Sequence, residues 1–235
     1  MERSSLLKLA FQVPIPQMDN FIGEQDFFFA LAPWVLKDEA YSNFFLQRPT
    51  VMDNGVHETG EPLPAELLLE AASLIEPMAI IPPDYLYDWH RTYEGFQDMA
   101  ALVPVEKLWP VVQGRSIDEL MLLAEQYAVH RVTKVCLPYR LRAGIRNDLA
   151  MRLKTFGLEI HFLSLTRLEE LYFMRMVPNA SFDTGKPFRW AQQGMVWGED
   201  MAERAPHKLH MLKDFNPNLA KRSIQVIREI VNFER

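Results

Sequence analysis

The sequence predicts an α/β fold: a single (β/α)8-type barrel, incomplete or irregular at its last strand and followed by a C-terminal helix. Three observations predict it. Short apolar runs alternate with helical patterns in seven units, the runs are continuously apolar, and the connections are short. Continuous apolar runs indicate strands covered on both faces, as in a parallel sheet with outer helices. An open doubly wound sheet competes, although no Gly-x-Gly-x-x-Gly follows the first predicted strand.

The apolar runs place seven strands in chain order. Runs of this kind, bounded by Pro, Gly, Asn or Asp, are typical of strands. They are FFFALAP (27–33), PTVMD (49–53), MAIIP (78–82), LWPVVQG (108–114), VTKVCLP (132–138), LEIHFLS (158–164) and NASFD (179–183). An eighth strand has no obvious run, because the chain after Trp197 is polar and irregular.

Helical patterns separate these strands. They are DEAYSNFFLQ (38–47), PAELLLEAASLI (64–75), SIDELMLLAEQYA (116–128), RNDLAMRLKTF (146–156), TRLEELYFMRM (166–176) and, at the end, LAKRSIQVIREIVNF (219–233). In the second helix Leu67, Leu68, Ala71, Ala72 and Ile75 form one apolar stripe.

Local signals mark where these helices begin and end. Ser116 and Glu119 have the spacing of a capping box, and Thr166 and Glu169 repeat it. Gly157 closes the helix predicted at 146–156.

Composition favours one domain over residues 1–235, with strand–helix units at about 27–194 and an irregular segment plus helix at 195–235. The single cysteine, Cys136, excludes a disulfide framework and a cysteine-based zinc site. No stretch approaches the roughly 20 apolar residues of a membrane span, and no secretory signal opens the chain. We therefore expect a cytoplasmic protein without membrane contact. The net charge of −6 argues against a protein that coats nucleic acid non-specifically.

Polar residues follow several predicted strands. Asp53, Asp84 and Asp183 end the second, third and seventh, and Gln113 with Gly114 ends the fourth. In a parallel barrel the carboxyl ends of all strands meet at one face, where sites form. Each residue also has a local explanation: Asp84 as a helix N-cap, and Asp53 and Asp183 as turn residues.

The set suits chemistry on a guanine-type base joined to a sugar. Two nearby carboxylates serve displacement at an anomeric carbon, one as nucleophile and the other in proton transfer. A carboxylate accepts hydrogen bonds from a ring N–H and an exocyclic amine, while a carboxamide donates to a carbonyl oxygen.

These residues lie in motifs that resemble the tRNA-guanine transglycosylase superfamily. The motifs are VMDNGVHETGE, IIPPD, WPVVQGRSIDEL, VTKVCLP and SFDTGKPF, in the family's order from about Phe27 to Trp190. The chain is most similar to short, zinc-less relatives from phages and bacterial DNA-modification clusters. The resemblance implies a (β/α)8 barrel and a pentosyltransferase that exchanges guanine in DNA for a 7-deazaguanine.

The resemblance implies a role for each strand-end residue. Asp183 is the nucleophile that forms a covalent glycosyl-enzyme, and Asp53 is the acid/base. Asp84 binds the N1 and amino edge of guanine. Gln113 binds its six-position oxygen, and Gly114 allows close backbone approach. Asn54, Leu137 and Pro138 line the base pocket.

The chain departs from the family at two places. Three cysteines and a histidine hold zinc in the tRNA enzymes, and one cysteine cannot form that site, so DNA is favoured over tRNA as the acceptor. Leu137-Pro138 replaces a glycine pair, which indicates a different seven-substituent, such as a nitrile or its derivative. We expect free 7-deazaguanine as second substrate, partner proteins of a DNA-modification pathway, and no metal or other cofactor.

Basic residues after the strands could bind phosphate: Arg140, Arg142, Lys186 and Arg189. Tyr85, Tyr139 or Trp190 could stack on a base, or could simply pack in the core.

Three alternatives remain open. One is a tRNA-guanine transglycosylase of the queuine type, and another is a non-catalytic subunit that binds deazaguanine or nucleic acid. The third, a metal-dependent hydrolase, is disfavoured because none of the six histidines pairs with another after a strand. His161, inside a predicted strand, is expected in the core.

Overall fold

The structure, a computed structural model, describes residues 7–141, 143–165, 167–198 and 209–232. These divide into two compact units. The larger runs from Phe27 to Leu163, and the smaller contains the described residues on either side of it. The predicted α/β class with parallel strands is confirmed. Seven strands form among the described residues, whereas the predicted barrel has eight. The single-domain organisation stays a prediction.

The larger unit contains five of the strands. They are β2 (Phe28–Leu31), β3 (Thr50–Asp53), β4 (Ala79–Ile80), β5 (Lys134–Leu137) and β6 (Glu159–Phe162). Strands β2, β3 and β4 pair in parallel in that order, and β5 pairs in parallel with β6. All five are close to the predicted positions, because continuous apolar runs mark strands that are buried on both faces.

The regular strand predicted at 108–114 is wrong. This segment forms only two parallel bridges, from Leu108 to Ile80 of β4 and from Val111 to Cys136 of β5. Pro110 lies between them and accepts a hydrogen bond from the Cys136 N–H through its carbonyl oxygen. Proline has no N–H to donate, so the ladder cannot continue regularly. The segment nevertheless connects β4 to β5.

Seven helices surround these strands in the larger unit. They are α1 (Ala32–Lys37), α2 (Glu39–Phe45), α3 (Val56–Thr59), α4 (Ala65–Ile75), α5 (Trp89–Ala100), α6 (Ile117–Val129) and α7 (Ala143–Leu153). Short 3-10 turns cover Val105–Lys107 and Lys154–Phe156, the second closed by Gly157 with φ +76°. In α4 Leu68, Ala71 and Ile75 are buried, whereas Leu67 is 38% exposed at the edge of the predicted stripe.

Side-chain caps fix where these helices start. Asp38 follows the last residue of α1, and its side chain accepts from the Tyr41 N–H at the start of α2. The helix predicted at 38–47 is therefore separate from α1, which precedes it. Ser116 caps α6 by accepting from the Glu119 N–H at 3.2 Å. In a capping box the Glu119 carboxylate would accept from the N–H of the N-cap residue, Ser116. Here it accepts from the Arg115 N–H, one residue earlier.

The smaller unit contains a strand that the sequence pattern missed. β1 (Lys8–Phe11) pairs in parallel with β7 (Ser181–Thr184), with Ala10 opposite Asp183. The other edge of β1 is covered by side chains: Asp26 Oδ2 accepts from the Leu9 N–H at 2.9 Å, and Gln25 Oε1 accepts from the Phe11 N–H at 3.0 Å. These side chains accept from backbone N–H groups that would otherwise bond to a neighbouring strand.

Helices complete the smaller unit. They are a 3-10 helix at Ile15–Glu24, a 3-10 turn at Leu168–Glu170, α8 (Leu171–Met174), α9 (Lys186–Ala191) and α10 (Pro217–Asn232). The predicted helix at 166–176 is therefore interrupted, and the capping residue Thr166 lies outside the described residues. The predicted C-terminal amphipathic helix is confirmed as α10, which buries Ala220, Ile224, Ile227 and Val231. No helix among the described residues is long and apolar enough to cross a membrane.

Candidate functional site

The centre of the candidate site is the carboxylate of Asp84, just after β4. Its side chain is nearly inaccessible, with 3% of the residue surface exposed. Oδ1 accepts from Asn54 Nδ2 at 2.7 Å, and Oδ2 accepts from Gln113 Nε2 at 2.6 Å. Of the four polar residues predicted to converge at the carboxyl ends of the strands, Asp84 and Gln113 are in contact here, and Asn54, which follows β3, joins them.

Asp84 does not cap the following helix. The N-cap of α5 is Asp88, whose side chain accepts from the Arg91 N–H at 3.1 Å. The chain before Asp84 is instead held by close packing, since a Cβ at Gly95 of α5 would lie 2.6 Å from the Pro83 carbonyl oxygen. A glycine in mid-helix thus allows the Pro83–Asp84 segment to sit against α5.

Asn54 positions Asp84. Its Nδ2 also donates to the Pro82 carbonyl at 2.8 Å, and its Oδ1 accepts from the Val56 N–H at 2.9 Å. The residue is fully buried and each polar atom of its carboxamide is engaged within the protein. The Asx-type turn considered for Asp53 is therefore made by Asn54, and we assign Asn54 to orienting Asp84; its direct contact with a substrate stays a prediction.

The environment of Asp84 changes its acidity. Burial raises the pKa of this carboxyl above its ordinary value of 3.8, while the hydrogen bonds from Asn54 and Gln113 oppose the rise. The net direction is upward because desolvation penalises the charged form more than two neutral donors stabilise it. Perturbed acids in enclosed sites are typical of functional positions.

The Gln113 carboxamide has a defined orientation. Its Nε2 faces Asp84, and its Oε1 accepts from the Tyr87 N–H at 3.4 Å. The amide therefore presents N–H groups to Asp84 and its surroundings, and keeps its oxygen toward the backbone. Gly114 follows, and a Cβ there would meet Glu119 Cβ at 3.0 Å, so the glycine makes room for the start of α6.

Asp53 ends β3, half-buried and opposite Leu31 in the parallel register. A neighbour that the sequence analysis missed is Tyr41 of α2, whose hydroxyl oxygen accepts from the Leu31 N–H at 3.0 Å. Burial raises the pKa of Tyr41, the Leu31 hydrogen bond opposes this, and the charges of Glu58 and Asp53 raise it further. A buried phenol thus lies within the field of both carboxylates.

Leu137 and Pro138 are both buried at the end of β5. The Leu137 carbonyl accepts from Nη2 of Arg146 at 3.0 Å, and the same nitrogen donates to the Leu163 carbonyl at 2.6 Å. The Arg146 guanidinium lies 5.2 Å from the Phe162 ring. Arg146 therefore holds the ends of β5 and β6 together. The sequence did not indicate this role, because Arg146 is one basic residue among many.

Four further residues lie in helix α3 and in the loops after β4 and β5. We call them the rim cluster: His57, Tyr87, Tyr139 and Arg140. Tyr139 Oη accepts from Arg140 Nε at 3.2 Å and lies 3.2 Å from His57 Nδ1. Hydrogen bonds to the phenols of Tyr87 and Tyr139 raise the pKa of Arg140. The predicted phosphate ligand Arg140 is thus exposed beside the Asp84 cluster.

Asp183, the predicted nucleophile, belongs to the smaller unit. It lies within β7, is 1% exposed, and is not a turn residue. Its Oδ1 accepts from the Ser164 N–H at 2.9 Å, and its Oδ2 accepts from Gln12 Nε2 at 3.2 Å. Gln12 follows the missed strand β1, so its contact with Asp183 could not be predicted from the sequence.

The remaining predicted phosphate ligands differ in environment. Lys186 is half-buried with Nζ 5.2 Å from the Trp197 ring, and burial, aided by the charge of Arg189, lowers its pKa to about 8. Arg189 is half-buried on the same helix, and Trp190 is 4% exposed, in the core of the smaller unit. Arg142 lies outside the described residues.

The histidines do not form a metal centre in the part of the chain that the structure describes, where no group of three or more His, Cys, Asp or Glu side chains could hold an ion. His161 is fully buried, stacked on Phe29 and in ring contact with Phe27 and Trp109. The prediction that His161 is a core residue is confirmed.

The chain gives no match to protein-family models, and none to curated proteins.

Proposed function

We propose that the chain is a guanine transglycosylase, a pentosyltransferase that exchanges guanine in nucleic acid, preferentially DNA, for a 7-deazaguanine base. One observation carries the proposal. A buried carboxylate, Asp84, is held by two carboxamides at neighbouring strand ends, and the orientation of Gln113 is fixed from both sides.

The donors and acceptors of this cluster complement the edge of guanine. Each carboxylate oxygen of Asp84 already accepts one hydrogen bond and has capacity for another, which guanine N1–H and its 2-amino group can fill. The second N–H of Gln113 Nε2 can donate to the six-position oxygen. Adenine would place an amino group against this N–H and an unprotonated ring nitrogen against the carboxylate, so the same cluster rejects it.

Enclosure strengthens this recognition. Asp84 and Gln113 are 3% and 4% exposed, so a base bound there exchanges its contacts with water for contacts with fixed polar groups. Hydrogen bonds in such a desolvated site are stronger, and an unmatched polar group costs about 1–3 kcal/mol. The pocket therefore discriminates by the unsatisfied groups of wrong bases.

The chemistry is a pair of displacements at one carbon. A target nucleotide leaves its stack, and an oxygen of Asp183 attacks its anomeric carbon. The C1′–N9 bond breaks as the new C–O bond forms, and the departing guanine N9 takes a proton from Asp53. The incoming deazaguanine loses its N9 proton to Asp53 and displaces Asp183, so the configuration is retained after two inversions. Both steps need only carboxylates as nucleophile and acid/base.

A (β/α)8 barrel is part of the proposal. Eight parallel segments follow each other in the chain: the seven strands and the bridged segment from Leu108 to Val111. The first strand pairs in parallel with the last, as the first and last strands of a barrel do. Asp53, Asp84 and Gln113 each lie at or just after the carboxyl end of one segment of the larger unit, and Asp183 lies within the last strand of the smaller unit.

The decisive experiment mixes the protein, a guanine-containing oligonucleotide and a labelled 7-deazaguanine. The wild type incorporates label, and Asp183→Asn loses at least about a thousandfold in rate. Denaturing electrophoresis of the wild type without incoming base traps the covalent glycosyl-enzyme, which Asp183→Asn does not form. Parallel reactions with DNA and tRNA identify the acceptor. Full activity of the folded Asp183→Asn protein would contradict the mechanism.

The second candidate, a non-catalytic subunit that binds deazaguanine, has one observation in its favour. Both oxygens of Asp183 accept hydrogen bonds and the residue is 1% exposed, as for a structural aspartate. Calorimetric binding of deazaguanine without exchange on DNA or tRNA, and with no trapped intermediate, would select this function.

A further inference from the structure

We propose that the rim cluster of His57, Tyr87, Tyr139 and Arg140 binds an unpaired stretch of nucleic acid, with Arg140 on a phosphate and the rings of Tyr87 and Tyr139 against bases. The inference deepens the proposed function, on which it rests, by naming the surface that takes the acceptor strand.

The position of the cluster supports this role. Its members come from helix α3, which follows β3, and from the loops after β4 and β5; the chain just after β3 and β4 also supplies Asn54 and Asp84. The Tyr87 N–H donates to Gln113 Oε1, so the rim joins the base pocket through one hydrogen bond. A strand held on the rim is therefore in place to deliver one extruded base to Asp84.

The charge of Arg140 is oriented without being neutralised. Among the described residues its hydrogen bonds go to the phenol oxygens of Tyr139 and Tyr87, which are neutral acceptors. The guanidinium also lies 5.7 Å from the centroid of the Tyr139 ring. Phenols that fix a guanidinium leave its remaining N–H groups for an anion, and arginine matches the geometry of phosphate.

The rings are presented in an unusual way. Tyr87 has a φ of +63°, a left-handed conformation that is rare for a bulky residue, and it is 45% exposed. The Tyr139 ring meets the His57 imidazole edge-on at 5.1 Å, which braces it. A strained backbone that keeps an aromatic ring in solvent indicates a function for that ring.

The combination of one arginine and two tyrosines restricts which kind of ligand the rim cluster can bind. A ligand must offer an anion for Arg140 and flat faces for the two tyrosines at neighbouring positions, as a polynucleotide strand does. Paired bases in a duplex expose no faces to such rings, so the strand must be unpaired there. Aromatic stacking of this kind tolerates any base, and the guanine preference stays with Asp84 and Gln113.

The test uses fluorescence anisotropy with labelled oligo(dT), which has no guanine and therefore reports on the rim without the base pocket. We expect wild-type binding that is tighter for the single strand than for an oligo(dT)–oligo(dA) duplex. Tyr87→Leu and Tyr139→Leu each weaken it roughly tenfold, whereas Tyr139→Phe, which keeps the ring, weakens it much less. Arg140→Gln reduces the slope of log affinity against log salt by about 0.7.

Tyr172→Leu is the matched control, because Tyr172 is 43% exposed and lies 5.1 Å from the Arg175 guanidinium in the smaller unit. It should bind oligo(dT) like the wild type. Leucine variants that keep wild-type affinity, equal binding of duplex, or no binding by the wild type would each overturn the inference. If Tyr87→Leu fails the circular dichroism check for folding, Tyr139→Leu decides the question.

Free guanine, titrated by calorimetry, separates the two proposals. It reports on Asp84 and Gln113, and Asp84→Ala should abolish its binding. Guanine binding together with a failed rim test overturns only this inference. Rim binding without guanine binding overturns the proposed function.

Discussion

At the scale of single residues, the proposed base recognition depends on the orientation of the Gln113 amide. The Tyr87 N–H holds its oxygen and Asp84 holds its nitrogen, so rotation of the amide would break both bonds at once. In the proposed function, specificity lies in two hydrogen bonds that form before the ligand binds, and a pre-oriented group loses little entropy when the ligand binds.

Replacing Gln113 by Glu tests this orientation. A carboxyl group at 113 would face Asp84 at close range, so the two groups compete for one proton and the amide donor to the six-position oxygen is lost. We expect at least a tenfold loss of guanine affinity, equivalent to about 1.4 kcal/mol, measured by calorimetry at neutral pH. Glu125→Gln, an exposed change on α6, is the control and should bind guanine normally. Unchanged affinity in Gln113→Glu would contradict a donor role for Gln113.

The raised pKa of Asp84 predicts a pH dependence of stability. The pKa is higher in the folded protein than the ordinary 3.8 of the unfolded chain, so between these two values the folded state binds more protons. Stability therefore falls as pH rises through this window and levels off above the folded pKa. The Asp84→Asn protein lacks this component, which urea unfolding of both proteins at successive pH values would measure. Parallel curves for the two proteins would refute the raised pKa.

At the scale of elements, a glycine in helix α5 sets the position of the loop that carries Asp84. Gly95 lies in mid-helix, where alanine normally gains about 1 kcal/mol. Here the added Cβ would meet the Pro83 carbonyl oxygen at 2.6 Å, and the backbone cannot yield without moving Asp84. Contact with the neighbouring loop therefore outweighs helix propensity.

Gly95→Ala should destabilise the protein by about 1–3 kcal/mol, the usual cost of overpacking, and should weaken guanine binding. Gly144→Ala in α7 is the matched control, because nothing lies within 4 Å of its added Cβ. That change should be neutral or stabilising by up to about 1 kcal/mol. Urea denaturation measures both, and a stabilised Gly95→Ala protein would show that the loop moves freely.

The edge of strand β1 gives a second prediction at this scale. Asp26→Ala removes the acceptor of the Leu9 N–H, which costs about 1 kcal/mol for a lost hydrogen bond. Hydrogen exchange at the Leu9 amide should speed up, whereas Asp26→Asn, which keeps an acceptor oxygen, should stay close to the wild type. Equal protection in all three proteins would mean that water replaces the carboxylate without loss.

At the scale of the whole molecule, net charge limits the proposed binding of nucleic acid. Its net charge of −6 repels a polyanion at long range, so binding depends on a few local cations. With the predicted ligands Arg140 and Arg142 of the larger unit on phosphates, about two contacts to a single strand would give a salt slope near −1.4. Titration of labelled single-stranded DNA at several salt concentrations measures it. A slope near zero would exclude these two residues as phosphate ligands.

The sequence by itself determined the α/β class and the places of six of the seven strands. These signals are local: apolar runs, and the Pro, Gly and Asp residues at their ends. They can be interpreted without knowing which strands pair with each other. Strand β1 was not predicted, because LKLAF is short and alternates. The strand predicted at 108–114 was wrong, because Pro110 breaks the hydrogen-bond ladder that the apolar composition of this segment suggests.

Tertiary structure alone decided the contacts of the candidate site. The bonds from Asn54 and Gln113 to Asp84 span 30 and 29 residues, and that from Gln12 to Asp183 spans 171. The sequence placed carboxylates at strand ends, but only packing determined that Asp84 is desolvated and that Asn54 donates a hydrogen bond to it. Hydrogen-bond partners and acidity depend on which chain segments become neighbours, and that depends on the free energy of the whole fold.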